Sequence, residues 1–456
     1  MMFFKRRQHA HQVSSLLKKH FGSQPIEHLV TASRTYPVAS RVDVQAAFER
    51  QFSGSRTARL VGVHAPFGHE GLTIAHLATG GPYPVVVGPL QHEEIDVGES
   101  LPARCIKRGL WLANEDGLPF AVLLAPAENY GQVQGVHVEV AVPPGSEGLA
   151  LSRTLLEGLD RHVSQAGSYR GKVLSLETRS DYSGRAGAVK VHRLAAVKRE
   201  EVILPEKTLR LLERNVHDFI EHREGLRRLG LAAKKGLLFY GPPGTGKTHT
   251  IRYLAGRLRD HTTLLITAEQ VGLLDEYFQL ARFLQPAMVV IEDVDLIARA
   301  REDLRSACEE SLLNRLLNEM DGRLREEAMV LFVLTTNRPD QLEAALSSRP
   351  GRIDQAIEFP LPDADGRRKL VRLYARGVAL ENDVVETIVR KTNRSSPAFI
   401  KELMRRAAQY QLQAGGNGTL ALERIESALD EMLFSGGSLN VKLLGGAVTP
   451  DPLLEN

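Results

Sequence analysis

The sequence predicts an α/β fold in which a parallel sheet carries helices on both faces. A helical lid follows this sheet, and a separate α+β domain precedes it. Three observations support this. Strand-sized apolar runs alternate with amphipathic helical patterns over residues 200–362, as in parallel strands buried on both faces. Only helical periodicity remains over 363–435. Residues 1–190 mix short alternating strands with helices.

Composition limits the function before any motif is considered. The 456 residues carry 58 basic and 55 acidic side chains, and a net charge of +3 is too small to indicate nucleic-acid binding. The two cysteines, Cys105 and Cys308, lie far apart without metal-ligand or disulfide spacing, so a reducing cytoplasm is predicted. Apolar runs such as 120–125 and 329–334 are too short to cross a bilayer, so no membrane association is expected.

The N-terminal domain, residues 1–190, contains no chemical motif. Helical patterns cover 8–21, 42–52 and 149–164, and period-2 alternation over 136–140 predicts a half-buried strand. Another strand is predicted over 173–177 and is placed in the same domain. The glycine- and serine-rich stretch 180–187 predicts a loop or linker to the next domain, and the tail over 436–456 a poorly ordered segment.

A glycine-rich stretch organises the second domain. An apolar run over 236–240 predicts a strand, and a helical pattern follows over 251–258. Between them lies a phosphate-binding loop (P-loop): Gly241, Pro242, Pro243, Gly244, Thr245, Gly246, Lys247 and Thr248, with His249 next in the chain. Its backbone N–H groups and the helix N-terminus would bind phosphate oxygens. Lys247 would reach the terminal phosphates, and Thr248 would hold Mg²⁺.

Two further strands end in polar residues that belong beside this loop. Glu292 and Asp293 follow the apolar strand 287–291, and Asn337 follows the strand that begins near 329. Ligands bind outside the carboxyl ends of strands in open α/β sheets. One acid would hold Mg²⁺ through water, and the other would orient the attacking water; Glu292 is taken as the Mg²⁺ ligand. Asn337 would hydrogen-bond the γ-phosphate or that water.

Two arginines complete the predicted catalytic set. Arg349 and Arg352 lie on a short Pro-Gly turn that could reach an anionic site. A guanidinium group at a phosphoryl-transfer transition state accelerates the reaction by several powers of ten. The helical domain, whose third helix is opened by Ser396 and Pro397, would close over the nucleotide base.

Residues 200–435 resemble an AAA ATPase of the protein-remodelling kind. The resemblance rests on residues 235–248, 312–322 and 349–354. It implies that Lys247 and Thr248 belong to Walker A, that Glu292 and Asp293 form the Walker B pair, and that Asn337 is sensor 1. It also implies that Arg349 and Arg352 are arginine fingers acting on the ATP of a neighbouring subunit. Such a family works as a ring, usually a hexamer, and uses ATP and Mg²⁺.

The sequence departs from this family in two places. The family's acid order is Asp then Glu, whereas this chain has Glu292 then Asp293, an inversion also seen in a membrane-anchored mitochondrial AAA group. Residues 268–286 lack the family's aromatic-apolar-Gly pore loop and the following Gly-Glu-Ser. Tyr277 and Phe278 are interpreted as helix core rather than pore aromatics. The charged stretch 299–305 is either a second pore loop or a solvated turn.

The leading hypothesis is a ring-forming ATP hydrolase that remodels a protein partner recruited through residues 1–190. The alternative is a nucleotide-dependent scaffold or switch that does not thread a polypeptide, which the missing pore motif favours. A nucleic-acid motor or loader is a third possibility, which the near-neutral charge and the lack of a DNA-binding motif disfavour.

Overall fold

The computed structural model describes residues 12–52, 58–65, 71–79, 84–129, 132–165, 167–178, 186–296, 328–340, 353–415 and 418–435. The chain forms two compact units. The first contains residues 1–170 and 188–191, and the second contains 171–187 and 192–456. The predicted tail over 436–456 and the pore-loop candidate 299–305 lie outside the described residues.

The first unit is built on an antiparallel sheet. Its strands are β1 (Val30–Tyr36), β2 (Arg59–His64), β3 (Val86–Gly88), β4 (His92–Ile95), β5 (Ala103–Ile106), β6 (Gly109–Glu115), β7 (Leu118–Asn129) and β8 (Gln132–Val142). Six of them form a sheet in the order β1-β8-β7-β6-β2-β3, and every neighbouring pair is antiparallel. The other two, β4 and β5, form a separate antiparallel pair.

Helices cover this sheet and make its core. They are α1 (Val13–Phe21), α2 (Arg41–Phe52), α3 (Ile74–Ala78) and α4 (Ser146–Gln165). Apolar side chains of α1 and α3, such as Leu17 and Leu77, are buried in one cluster with Leu110 and Leu123 of the sheet. Burying one sheet face against helices is a stable two-layer arrangement. The predicted α+β character of the N-terminal region is confirmed.

The second unit contains the predicted parallel sheet. Its strands are β9 (Val173–Thr178), β11 (Lys235–Tyr240), β12 (Thr262–Ile266), β13 (Ala287–Ile291), β14 (Val330–Thr336) and β15 (Gln355–Glu358), while β10 (Ala186–His192) has residues in both units. They follow the order β9-β12-β13-β14-β11-β15, and each neighbouring pair is parallel. The apolar residues of β13 are fully buried, as expected of a strand covered on both faces.

The strand over 173–177 is placed differently from the prediction. It was assigned to the N-terminal domain, but β9 pairs in parallel with β12, with Val173 opposite Thr263 and Leu174 opposite Leu264. A short apolar run indicates a strand without indicating its partner, because pairing depends on residues distant in sequence. The N-terminal domain limit of residue 190 was therefore wrong for this strand, and the other domain limits stay predictions.

Helices connect the parallel strands. These helices are α5 (Glu206–Glu213), α6 (Phe219–Arg228), α7 (Lys247–Arg257) and α8 (Leu274–Phe283). Tyr277 and Phe278 of α8 have no exposed surface. The Tyr277 hydroxyl donates to the carbonyl of Leu265 at 3.0 Å and accepts from the N–H of Leu176 at 2.7 Å. The interpretation of both aromatics as helix core is confirmed.

Four helices follow the sheet, as predicted. They are α9 (Ala364–Tyr374), α10 (Asn382–Lys391), α11 (Pro397–Gln413) and α12 (Leu422–Asp430), and they enclose one apolar cluster. The Ser396 hydroxyl caps α11 by accepting from the N–H of Phe399 at 3.2 Å, and Pro397 occupies the first turn. Such a cap satisfies a donor that the helix itself leaves unpaired, which fixes where α11 begins. We call these four helices the lid.

Candidate nucleotide-binding site

The site lies at the carboxyl edge of the parallel sheet. Strand β14 is flanked by β13 on one side and by β11 on the other, and all three run in the same direction. Their carboxyl ends therefore lie side by side, which places the P-loop after β11, the acid pair after β13 and Asn337 after β14 together. This edge is where open α/β sheets bind ligands.

Backbone conformation explains two of the loop glycines. Gly241 has a φ of 146°, and a Cβ atom there would lie 2.2 Å from the carbonyl oxygen of Phe359. Gly246 has a φ of 99° and immediately precedes α7, which begins at Lys247. Side chains rarely tolerate these conformations, so glycine is needed at both positions. The loop consequently turns tightly and delivers the chain into the N-terminus of α7, which favours anions.

Lys247 is the best-defined side chain of the site. It is only 7% exposed, and its Nζ donates to the carbonyls of Gly241 at 2.8 Å and Pro242 at 3.0 Å. A third hydrogen bond of 2.8 Å reaches Oδ1 of Asn337. Burial lowers the pKa of Lys247 to about 8, although the charges of Asp293 and Asp295 oppose this shift. A buried cation is thus held at the predicted phosphate position.

The two predicted Walker B acids contact different partners. The Thr248 hydroxyl donates to Oε1 of Glu292 at 2.7 Å. Asp293 accepts from Nδ2 of Asn337 at 3.0 Å, and its backbone N–H donates to the Thr335 hydroxyl at 3.0 Å. Asp293 has a φ of 51°, an uncommon left-handed conformation for a residue with a side chain. One acid is therefore joined to the P-loop helix and the other to the end of β14.

Asp295 is a site residue that the sequence did not reveal. Its carboxylate is 4% exposed and accepts from the Thr336 hydroxyl at 2.8 Å and from the N–H of Asn337 at 3.1 Å. These bonds fix the backbone from which Asn337 projects. Its position two residues after Asp293 is the one signal in the sequence that could have indicated it. That signal is weak, because acids are common after apolar strands.

A cavity of about 420 Å³ opens beside these groups. Its size falls in the range typical of ligand pockets, roughly 300–1,000 Å³. It is lined by P-loop residues from Pro243 to His249, by residues 201–204, by Asp293, Thr335 and Asn337, and by the lid residues Leu370, Tyr374, Pro397, Ala398 and Lys401. Gly241 and Pro242 act on the cavity indirectly: their carbonyls accept hydrogen bonds from Nζ of Lys247, which lines it. The lid therefore forms one wall of the cavity, and its closure over a nucleotide base stays a prediction. The contribution of residues 201–204 to the cavity was not foreseen.

The part of the chain that the structure describes offers few protein ligands for a metal ion. Among the described residues, no group of three His, Cys, Asp or Glu side chains could hold one. The hydroxyl of Thr248 and the carboxylate of Glu292, joined by a hydrogen bond, are oxygen donors at the mouth of the P-loop. This small donor set fits Mg²⁺, which keeps several waters and binds mainly through one or two protein groups and substrate phosphates.

The predicted arginine fingers cannot be placed in this geometry. Arg349 and Arg352, and the resemblance-bearing segment 312–322, lie outside the described residues. The end of the arginine motif is described. The carboxylate of Asp354 accepts from the N–H of Gly236 at 2.7 Å, and the N–H of Asp354 donates to the carbonyl of Gly236 at 2.8 Å. This anchors the start of β15 to β11, beside the strand that leads into the P-loop.

A glycine-rich loop between a parallel strand and a helix, with acids on a nearby strand, defines a P-loop nucleotide hydrolase. Residues 237–361 match the family described as "ATPase family associated with various cellular activities (AAA)". The chain therefore carries an AAA ATPase module. This match confirms the resemblance found in the sequence and the enzyme class predicted from it, an ATP hydrolase.

Several curated relatives share this module. A cell division cycle protein 48 homolog of Archaeoglobus fulgidus is 33% identical over 217 residues, covering 46% of this chain and 29% of that protein. The proteasome-activating nucleotidase of Methanothermobacter thermautotrophicus is 32% identical over 220 residues, covering 46% and 53%. The ATP-dependent zinc metalloprotease FtsH 3 of Symbiobacterium thermophilum is 33% identical over 236 residues, covering 48% and 36%. The chain thus spans about half or less of their lengths.

Proposed function

We propose that this chain assembles into a ring that hydrolyses ATP and uses the energy to remodel a protein partner. The observation that carries the proposal is the continuous set of hydrogen bonds joining the P-loop, the acid pair and Asn337. Two of these bonds, Lys247 to Asn337 and Asn337 to Asp293, link three separate strands at the position of the expected terminal phosphate.

Each side chain has a distinct role in the proposed reaction. Lys247 would exchange its carbonyl and amide acceptors for phosphate oxygens. Thr248 and Glu292 would hold Mg²⁺, which neutralises charge that develops on the phosphates. Asp293 would accept a hydrogen bond from the attacking water and orient it, as a general base must. Asn337, already bonded to Asp293, would align that carboxylate with the terminal phosphate.

The inverted acid order is compatible with these roles. Glu292 already reaches the hydroxyl of Thr248, and the shorter Asp293 is fixed by Asn337. Shortening the acid by one methylene removes about 1.5 Å of reach, the length of one C–C bond. We therefore expect hydrolysis to be retained, with a rate limited by how closely water approaches Asp293.

Ring assembly is supported by the arginine motif and by the relatives. Arg349 and Arg352 would act on ATP bound to a neighbouring subunit, which requires a closed ring, and a hexamer is the expected size. The names of two relatives describe activation of a proteasome and ATP-dependent proteolysis. By analogy, a protein is the proposed substrate class, recruited through residues 1–190.

A cytoplasmic location is proposed from the cysteine pattern. Among the described residues, no helix is long and apolar enough to cross a membrane.

A subunit-mixing experiment tests the ring. Arg349→Ala subunits and Asp293→Asn subunits should each be inactive alone, and mixing them should restore part of the ATPase rate at interfaces that join an intact finger to an intact base. Mixing Asp293→Asn with Lys247→Ala is the matched control, because each subunit then lacks a group for its own nucleotide. No recovery in the first mixture would contradict action between neighbours.

The alternative, a nucleotide-dependent switch that does not thread a polypeptide, gains support from one observation. Tyr277 and Phe278, the aromatics that could have served as pore residues, are buried in the core of the module. Affinity capture by the Asp293→Asn form, which should retain ATP, would identify the partner, with Lys247→Ala as the control that cannot retain it. Processing of that partner after it has been covalently cross-linked in its folded state would favour the switch over threading.

A further inference from the structure

A short segment ahead of α5 touches both the P-loop helix and the lid. We call residues 199–204 the strap. It begins with a single 3₁₀ turn, Arg199–Glu201, and continues through Val202, Ile203 and Leu204. The last four of its six residues line the cavity beside the P-loop. The strap therefore forms part of the wall of the nucleotide site, although it belongs to none of the catalytic motifs.

Glu201 makes three contacts from the strap. Its Oε1 accepts from Nη1 of Arg376 at 2.7 Å, and its Oε2 accepts from the N–H of Lys198 at 2.9 Å. Its backbone carbonyl lies 3.2 Å from Nε2 of His249, which must be the donor because a carbonyl only accepts. The Lys198 N–H and then Arg376 lower the pKa of Glu201, so its carboxylate is ionised at neutral pH. One residue thus joins the strap to the P-loop helix and to the lid.

The position of Arg376 makes this contact mechanically relevant. Arg376 lies two residues beyond the end of α9, and α9 supplies Leu370 and Tyr374 to the lid wall of the cavity. On the other side of the ion pair, Val202 follows Glu201 and lines the strap wall. The pair therefore lies where these two walls meet. Its loss would weaken the contact between them, while the packing of Ile203 against the lid core and the hydrogen bond of 3.2 Å from the N–H of Ala398 to the carbonyl of Gly244 would remain.

We propose that Glu201 is a positioning residue that fastens the lid over bound nucleotide and so controls how fast nucleotide leaves. This inference rests on the proposed function as an ATPase. The hydrogen bonds of Glu201 go to Arg376, Lys198 and His249. None of them goes to Lys247, Asp293 or Asn337, so loss of Glu201 should change nucleotide release more than the chemical step.

The expected effect is modest and measurable. The side chain of Arg376 is 57% exposed and that of Glu201 is 22% exposed, so solvent screens the pair. Pairs of this kind correspond to an equilibrium change of about 1.4- to 5-fold. Reversing one charge replaces attraction by repulsion, which we expect to accelerate release by about three- to tenfold.

The test is a charge swap in the full chain. Release of a fluorescent ADP analogue is followed by stopped flow in the wild type, Glu201→Arg, Arg376→Glu and the double variant, and single-turnover hydrolysis of ATP is measured in parallel. Each single variant should release the analogue about three- to tenfold faster, and this change should be larger than any change in its single-turnover rate. The double variant should return to within about twofold of the wild type. Glu200→Arg, at the adjacent exposed position, is the matched control and should release the analogue like the wild type.

Three results would be decisive against the inference. It is overturned if the single variants release nucleotide at the wild-type rate, if the double variant is no closer to the wild type than either single variant, or if Glu200→Arg has the same effect as Glu201→Arg. A wild-type chain that binds no nucleotide would instead overturn the proposed function, and this inference with it.

Discussion

The state of Lys247 predicts how nucleotide affinity should depend on pH. Its ammonium group is buried, and this burial lowers its pKa from the usual 10.5 to about 8. Its hydrogen bonds go to three neutral oxygen atoms. Bound phosphate would stabilise the charged form and return the pKa to a high value. ATP should therefore select the protonated lysine, and affinity should fall as pH rises through about 8.

The size of the effect follows from proton linkage. At about pH 7 roughly nine-tenths of the free sites carry the charged lysine, and at about pH 9 roughly one-tenth do. If ATP binds only the charged form, its dissociation constant should increase about tenfold over these two pH units. Phosphate monoesters lose their last proton near about pH 6, so the ligand itself contributes little over this range.

Fluorescence titration of the full chain with a labelled ATP analogue at several pH values measures this dependence. The matched control is Lys247→Arg, because arginine stays charged throughout the range. This variant should bind more weakly overall, since its side chain is larger, but with an affinity that is flat with pH. A wild-type affinity that is constant or increases from about pH 7 to about pH 9 would refute the reasoning.

Four substitutions test the packing of the ATPase module. Gly241→Ala should lower the free energy of unfolding by about 1–3 kcal/mol in urea denaturation, because its backbone conformation excludes a side chain. The unobstructed helical Gly256→Ala should instead raise it by about 0.4–1 kcal/mol. Asp295→Ala should cost about 1–3 kcal/mol for each stranded donor, and it should reduce the turnover number more than nucleotide affinity because Asn337 loses its support. Tyr277→Phe should lower the free energy of unfolding by about 1–3 kcal/mol, because the buried N–H of Leu176 loses its acceptor, with little change in ATPase rate. A stable Tyr277→Phe variant would contradict the core assignment, and equal losses of affinity and turnover in Asp295→Ala would contradict its positioning role.

Local patterns in the sequence were sufficient to predict the parts of the site that are contiguous. The P-loop needs glycines, a lysine and a hydroxyl in one order between a strand and a helix. Residues 241–248 have this order, so the loop could be recognised from the sequence. Parallel strands then brought Asp293 and Asn337 to the same edge without further information. The lid helices were predicted because helical periodicity extends over nine or more residues at a time.

The remainder depends on contacts between residues distant in sequence. Asp295 reads as one more surface acid until Thr336 and Asn337 donate to it. Glu201 lies 175 residues from Arg376, and no local pattern connects the two. The apolar pattern of β9 is compatible with either sheet, and its pairing with β12 places it in the parallel one. Pairing and packing, rather than local propensity, determine these features.

The most direct test of the central claim is the rate of phosphate release by Asp293→Asn. Asparagine keeps nearly the same shape and can still bond to Asn337, but it cannot accept a proton from water. We predict that nucleotide binds with an affinity close to that of the wild type, while hydrolysis falls by about 10²–10⁴-fold, the usual contribution of a general base. Hydrolysis at the wild-type rate in Asp293→Asn would contradict the assignment of this acid, and with it the proposed mechanism.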